Sequence, residues 1–162
     1  MRPGRWLMWL PLAVLLVTSA DAAPPRGSLG VGLGGGPGVT GLSAKLYMQR
    51  TSLQVTAGGW QVLTDEVEGG SGYGLSSDYQ LEMPDIVYTQ AFNLAWSVGI
   101  GGTLAVPGET PEYVSLSAVT GLALNFKRSP MDLVFEYRPR VAVLPNLWID
   151  LFNYSAHVRY YF

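Results

Sequence analysis

The chain has 162 residues, with 10 Lys and Arg against 12 Asp and Glu, a formal net charge of −2 and no cysteine. This charge balance gives no basis for a nucleic-acid partner, and the lack of cysteine excludes disulfides and thiolate metal sites. Charged residues make up 14% of the chain, whereas ordinary soluble domains contain roughly a quarter.

Residues 1–23 have the layout of a secretory signal peptide. Two arginines near the start precede an apolar stretch from Trp6 to Val17, and small residues follow it. The apolar stretch is shorter than the roughly 20 residues that a membrane-spanning helix needs. We therefore expect cleavage after Ala22 or Ala23, export of the mature chain, and a single domain over residues 24–162.

The mature sequence alternates between apolar and small or polar residues with a period of two, which is typical of β-strands. Gly, Pro, Ser and Asn separate the alternating segments. In the clearest segment, apolar residues from Phe92 to Ile100 interleave with small or polar residues from Asn93 to Gly101. The pattern predicts eight strands, over residues 28–34, 42–48, 52–60, 78–83, 92–102, 114–126, 132–138 and 152–162.

The predicted connections differ in length on the two sides of the sheet. Three that belong to one side are long, over residues 61–75, 106–113 and 139–149, whereas "QRT" at 49–51 and "KRSP" at 127–130 are tight. Long external loops and short periplasmic turns are the arrangement of outer-membrane barrels. The short first connection and the longer one around "PDIVYTQ" follow this rule imperfectly.

Eight alternating strands suit either a soluble barrel or sandwich, with large apolar residues inside, or a membrane barrel, with those residues outside. Here one face of each strand carries bulky apolar residues, and the opposite face is rich in Gly, Ala, Ser and Asn. Such small residues suit the narrow interior of an eight-stranded barrel. The sequence therefore predicts an all-β fold, an eight-stranded antiparallel up-and-down transmembrane β-barrel.

The last segment has aromatic or apolar residues at alternate positions up to the end of the sequence, at Tyr154, Val158, Tyr160 and Phe162. In an even-stranded barrel this segment pairs with the first strand and removes the free edges. Its aromatic side chains would lie at the depth of an aromatic girdle. The spacing looks like the carboxy-terminal signal that the barrel-assembly machinery recognises in outer-membrane barrels.

The mature chain resembles a family of small, mostly uncharacterised outer-membrane β-barrels of Gram-negative bacteria and spirochaetes. The matching stretches are "PGVTGLSAKLYM", "SVGIGGTLAV", "LVFEYRPRVAVLP" and "HVRYYF". The chain is also similar in architecture to eight-stranded barrels of the OmpA membrane-domain type. The resemblance implies a fold and a location in the bacterial outer membrane, and no particular chemistry.

Seven ionisable residues share the inward parity of their strands. They would form a lumen charge network in which acids and bases neutralise one another and fill the barrel. The alternative is a lumen that binds a small ligand. The seven residues are Lys45, Asp78, Glu82, Glu136, Arg138, His157 and Arg159.

A lipid A-modifying enzyme, similar to outer-membrane deacylases with a His-Ser pair, is an alternative function. Ser155 and His157 are the only Ser and His neighbours in the sequence, but their parity directs them inward, and the deacylase His-x-Ser-Asn pattern is missing. The glycine runs at 30–36 and 69–74 do not open a helix and are not phosphate-binding loops. We expect no enzyme activity and no cofactor or metal.

The sequence thus predicts a non-catalytic outer-membrane protein with a structural role or a surface-interaction role carried by its extracellular loops. The expected partners are outer-membrane lipid, lipopolysaccharide, the barrel-assembly machinery and an extracellular protein ligand.

Overall fold

The computed structural model describes residues 27–36, 38–61, 71–107 and 112–162; the predicted signal peptide, residues 1–23, lies outside them. Within the described residues, no helix is long and apolar enough to cross a membrane. These residues form eleven β-strands: β1 Leu29–Gly35, β2 Gly38–Tyr47, β3 Thr51–Gln61, β4 Ser71–Glu82, β5 Val87–Tyr88, β6 Phe92–Pro107, β7 Tyr113–Phe126, β8 Met131–Tyr137, β9 Arg140–Leu144, β10 Trp148–Asp150 and β11 Tyr154–Tyr161.

The strands close into an eight-stranded antiparallel barrel. Neighbours in the chain pair with each other, and β11 pairs with β1 from Tyr161 opposite Gly30 to Ala156 opposite Gly35. Three barrel strands consist of two segments each, because β5 continues the course of β4, β9 that of β8, and β11 that of β10. The predicted all-β, up-and-down barrel of eight antiparallel strands is confirmed.

The barrel has two different ends. One end, which we call the terminal end, contains Ser28, Phe162 and the tight turns that precede β3 and β8. At the opposite end, called the far end, β1 finishes at Gly35, β3 at Gln61 and β9 at Leu144. The acidic residues of the predicted loop over 61–75 lie outside the described residues.

Two predicted loops contain strand. β4 begins at Ser71, seven residues before the predicted fourth strand, because the glycine-rich stretch up to Gly74 pairs with β3 and β6. The predicted loop over 139–149 contains β9 and β10, which form a hairpin whose first strand pairs with β7. Loop was wrongly predicted for residues 71–75, 140–144 and 148–149, because pairing with neighbouring strands keeps these segments extended although their composition suits a loop.

Most large apolar side chains of the strands point away from the barrel axis, and most charged side chains of the strands point toward it. Leu42 and Ile100 are 67% and 70% exposed, whereas Lys45 and Arg159 are each 1% exposed. The alternation continues along every long strand, so that the apolar parity assigned from the sequence faces outward in the structure. This distribution is the reverse of that in a soluble domain.

Glycines in β1 make room for the large side chains of β11. A Cβ on Gly34 would overlap the imidazole of His157, and a Cβ on Gly30 would overlap the ring of Tyr161. Both glycines lie directly opposite these partners in the ladder. The glycine face of β1 therefore lets β11 project large side chains into a narrow lumen.

Two small apolar clusters lie inside the barrel. At the far end, Trp60 and Tyr113 pack together with a ring-centroid distance of 5.2 Å, and Trp148 packs against them. Nearer the terminal end, Ala95, Ala123 and Val134 form the second cluster. Charged and polar side chains occupy the interior between these clusters.

Candidate functional site

The structure places all seven ionisable residues selected from the sequence on the inner face of the barrel. Six of them are at least nine-tenths buried, and the Glu82 side chain is 18% exposed near the terminal end. They form one connected group with additional polar partners, because Arg159 donates to Gln54, Lys45 donates to Gln80, and both glutamines donate to Glu136. We call this set the lumen network, which consists of those seven residues together with Ser43, Ser52, Gln54, Ser76, Gln80, Asp132, Ser155 and Tyr161.

Glu136 is the central acceptor of the lumen network. Its carboxylate accepts hydrogen bonds from Gln54 Nε2 at 3.0 Å and Gln80 Nε2 at 2.9 Å. Ser155 Oγ donates at 2.8 Å, and Arg138 Nη1 donates at 3.3 Å. A buried carboxylate must recover the interactions that it had with water. Three of these four donors come from other barrel strands and the fourth is the neighbouring Arg138, and together they stabilise the charge of Glu136.

Arg138 joins Glu136 to a second buried acid. Its guanidinium forms an ion pair with Asp78 and donates from Nη2 to Ser76 Oγ at 3.1 Å. The planar guanidinium offers several donors in fixed directions, so one arginine can serve two carboxylates and a hydroxyl. Arg138 therefore links β4 to β8 through the interior.

Two further ion pairs lie toward the terminal end. Lys45 Nζ is 2.8 Å from Glu82 Oε1 and 3.0 Å from Gln80 Oε1. Arg159 approaches Asp132 with Nε at 3.2 Å from Oδ1 and Nη2 at 3.1 Å from Oδ2. In the second pair Nε donates a hydrogen bond to the carboxylate, and Nη2 adds an ion-pair contact.

The far end is occupied by Arg140 and the aromatic cluster. Arg140 Nη2 is 3.0 Å from Asp150 Oδ2, and its guanidinium lies 5.9 Å from the Tyr113 ring centroid and 5.4 Å from that of Trp148. These distances suit cation–π contacts. The cluster of Trp60, Tyr113 and Trp148 with Arg140 occupies the interior at the far end of the barrel.

A small cavity lies between the aromatic cluster and the lumen network. Its volume is about 30 Å³, and its lining includes Thr56, Ser115, Arg138, Arg140 and His157. The buried hydroxyls of Thr56 and Ser115 have no hydrogen-bond partner among the described residues. Because a water molecule needs roughly 10–15 Å³ of such volume, the cavity has room for about two waters.

His157 lies between a serine and an acid, but the serine differs from the one that the sequence suggested. His157 Nδ1 is 3.0 Å from Ser43 Oγ, and Nε2 is 3.3 Å from Glu136 Oε2. Ser155 Oγ instead donates its hydrogen bond to Glu136. A serine, base and acid in contact resemble a nucleophile set, yet the adjoining space of about 30 Å³ holds no acyl substrate.

Metal binding has no visible basis among the described residues. No three His, Asp or Glu side chains in that part of the chain come together in a way that could hold a metal ion. The inner carboxylates instead contact Lys, Arg, Gln and hydroxyl groups.

The four residues of the hypothesised assembly signal lie on the outer face of the last strand or at its end. Tyr154, Val158 and Phe162 are exposed and Tyr160 is half-buried. The Tyr160 and Phe162 rings meet edge to face with centroids 5.1 Å apart, and Phe162 N donates to Leu29 O at 3.1 Å. The backbone of Phe162 thus takes part in closure while its side chain remains outside.

Sequence reasoning missed several members of the lumen network. Asp132 and Gln54 have the inward parity of their selected neighbours Glu136 and Lys45, so parity applied to every polar residue would have found them. Arg140, which belongs to the far-end cluster rather than to the lumen network, was missed because its segment was assigned to a loop. Ser43 was on the inward face, but no local pattern relates it to a histidine 114 positions away.

No protein-family model, curated protein or solved structure matches this chain. The fold itself is established as a closed eight-stranded antiparallel barrel with a polar, charged interior and an apolar exterior.

Proposed function

We propose that this chain is an integral β-barrel protein of the bacterial outer membrane, with a structural role or a surface-interaction role carried by its extracellular loops. The observation that carries the proposal is the reversed distribution of polarity, with buried arginine, lysine and carboxylates inside and exposed leucine, isoleucine and aromatic residues outside. In water such an exterior would aggregate. In hydrocarbon it is the favourable arrangement.

Strand length and aromatic placement support the same proposal. β2, β3, β4, β6 and β7 contain 10 to 16 residues, and about 9–11 residues suffice for a tilted strand to cross a bilayer. Exposed aromatic side chains occur toward both ends of the wall, with Tyr73 and Phe152 toward the far end and Phe126 and Phe162 toward the terminal end. Outer-membrane barrels carry such aromatic girdles at both interfaces.

The non-catalytic part of the proposal rests on the packing of the lumen. The serine, histidine and glutamate that are in contact are each about 98–99% buried, and the adjoining cavity has the size of about two waters. A filled lumen of this kind holds the barrel together. Partners would then be lipid and lipopolysaccharide at the wall, the assembly machinery during insertion, and a protein ligand at the loops.

Two single arginine substitutions at different depths along the outer face of β6 test the membrane location. Ile100 and Val106 are both exposed on the outer face of β6, six positions and therefore about 20 Å apart along the strand. For a barrel in a bilayer we expect Ile100→Arg to lower the free energy of unfolding by about 2–4 kcal/mol and Val106→Arg by about 0–1 kcal/mol. Urea unfolding in phospholipid vesicles measures both.

The proposal would be overturned if both substitutions lowered the free energy of unfolding equally and if the folded protein were also found in the water-soluble fraction of cells. A heat-dependent mobility shift on a detergent gel, together with membrane fractionation, provides the independent check of folding and location.

A further inference from the structure

The outer wall of the barrel contains a groove of about 630 Å³. It crosses β4, β6 and β7, with Leu53 and Tyr79 toward one side and Ile149 and Leu151 toward the other. Its volume falls within the range of about 300–1,000 Å³ that is usual for small-molecule sites. The groove faces the surroundings of the barrel and does not belong to the lumen network.

Small side chains account for the depth of the groove. Ser77, Gly102 and Ala118 line it at positions of outward parity, where neighbouring positions carry Tyr79, Ile100 and other large residues. Ser77 pairs with Gly102, and Ala118 pairs with Ile100. Ser77 and Gly102 therefore lie side by side on adjacent strands, and Ala118 lies two positions along β7 from Leu116, the other partner of Gly102, so that the three small residues line one depression.

The chemistry of the groove excludes most kinds of occupant. Its lining is almost wholly apolar, so it offers little to a sugar, a headgroup or another polar ligand. An added peptide strand would need a free sheet edge, but the backbone here is paired on both sides: Gly102 pairs with Ser77 and Leu116, and Leu116 pairs in turn with Val141.

We propose that this groove binds one acyl chain of a bilayer lipid, an inference that rests on the proposed membrane location. An acyl chain is flexible and apolar, needs no hydrogen-bond donor or acceptor, and is present wherever the outer wall contacts hydrocarbon. Its methylene groups would fill the depression left by Ser77, Gly102 and Ala118. The groove would thus hold a lipid in a fixed position beside β6 and β7.

The test uses vesicles of phosphatidylcholine in which a fraction of the lipid carries a photoreactive diazirine in the middle of one acyl chain. After the protein is inserted and irradiated, mass spectrometry maps the lipid adducts. We expect adducts to concentrate on the β6 and β7 peptides that contain Ile100 and Leu116. Ala118→Leu, which fills the groove, should remove this enrichment.

Ala156→Leu is the matched control, because Ala156 is also an exposed outward alanine but lies on β11, away from the groove. It should leave the labelling pattern unchanged. Uniform labelling of the wall in protein that is inserted and shifts with heat would overturn the acyl-chain site and leave the membrane location standing. A dimer that Ala118→Leu abolishes would identify a second copy as the occupant. Failure to insert at all would overturn both proposals.

Discussion

At the scale of single residues, the interior is held by charge compensation. Buried ion pairs add little to protein stability compared with apolar residues of similar volume. Removing one partner, however, leaves an uncompensated buried charge, which is strongly destabilising. Glu136 is the most connected of these groups, since it accepts from Gln54, Gln80, Ser155 and Arg138 and contacts His157. Loss of this one carboxylate would therefore disturb several strands together.

We expect Glu136→Gln to lower the free energy of unfolding by about 3–5 kcal/mol, because the negative charge beside Arg138 is lost and one acceptor oxygen becomes an NH2 group that faces the donors of Gln54 and Gln80. Urea unfolding in phospholipid vesicles measures the change. Glu112→Gln is the control, because Glu112 is exposed just before β7 and should change the free energy by less than about 0.5 kcal/mol. Equal effects of the two substitutions would contradict a central role for Glu136.

At the scale of strands, the alternation of residue types predicted most of the barrel. Parity was correct over the predicted residues 92–102 of β6 and 114–126 of β7, because side-chain direction in a strand depends only on the local backbone. The β9 and β10 hairpin was missed because "RPRVAVLPN" carries prolines and has no long alternation. Its strand conformation depends on pairing with β7, which is a long-range contact.

The packing of β1 against β11 gives a prediction at the same scale. Gly34→Ala should prevent closure, because the added methyl group would overlap the His157 ring inside the lumen. Gly59→Ala serves as the control, since its nearest neighbour to an added Cβ is Thr40 O at 4.0 Å. The heat-dependent mobility shift should disappear in the first variant and persist in the second. A normal shift for Gly34→Ala would show that β1 and β11 do not approach as described.

At the scale of the whole molecule, closure joins the first and last strands and removes the free edges that would otherwise pair with other chains. The ladder between β1 and β11 extends over six residue pairs. At the end of the chain, the Phe162 side chain points outward and is 80% exposed, whereas the Tyr161 side chain points into the lumen and is 4% exposed.

Phe162 and Phe152 provide the corresponding test, because both side chains are 80% exposed but only Phe162 belongs to the hypothesised assembly signal. We expect Phe162→Ala to reduce the amount of barrel in the outer membrane of cells and Phe152→Ala to leave it near the wild-type level. Both purified variants should refold into vesicles with similar yield. Equal cellular amounts of the two variants would contradict the assembly role.

The sequence by itself determined the strand class, the number of barrel strands and which face of each strand is apolar, because these properties follow from local alternation and turn residues. The tertiary structure decided which polar groups meet. Arg159 donates to Gln54, 105 positions away, and Ser43 contacts His157 across the seam between β1 and β11. Such contacts depend on the closure and stagger of the barrel, which bring distant strands to one depth, and no local pattern in the chain encodes that alignment.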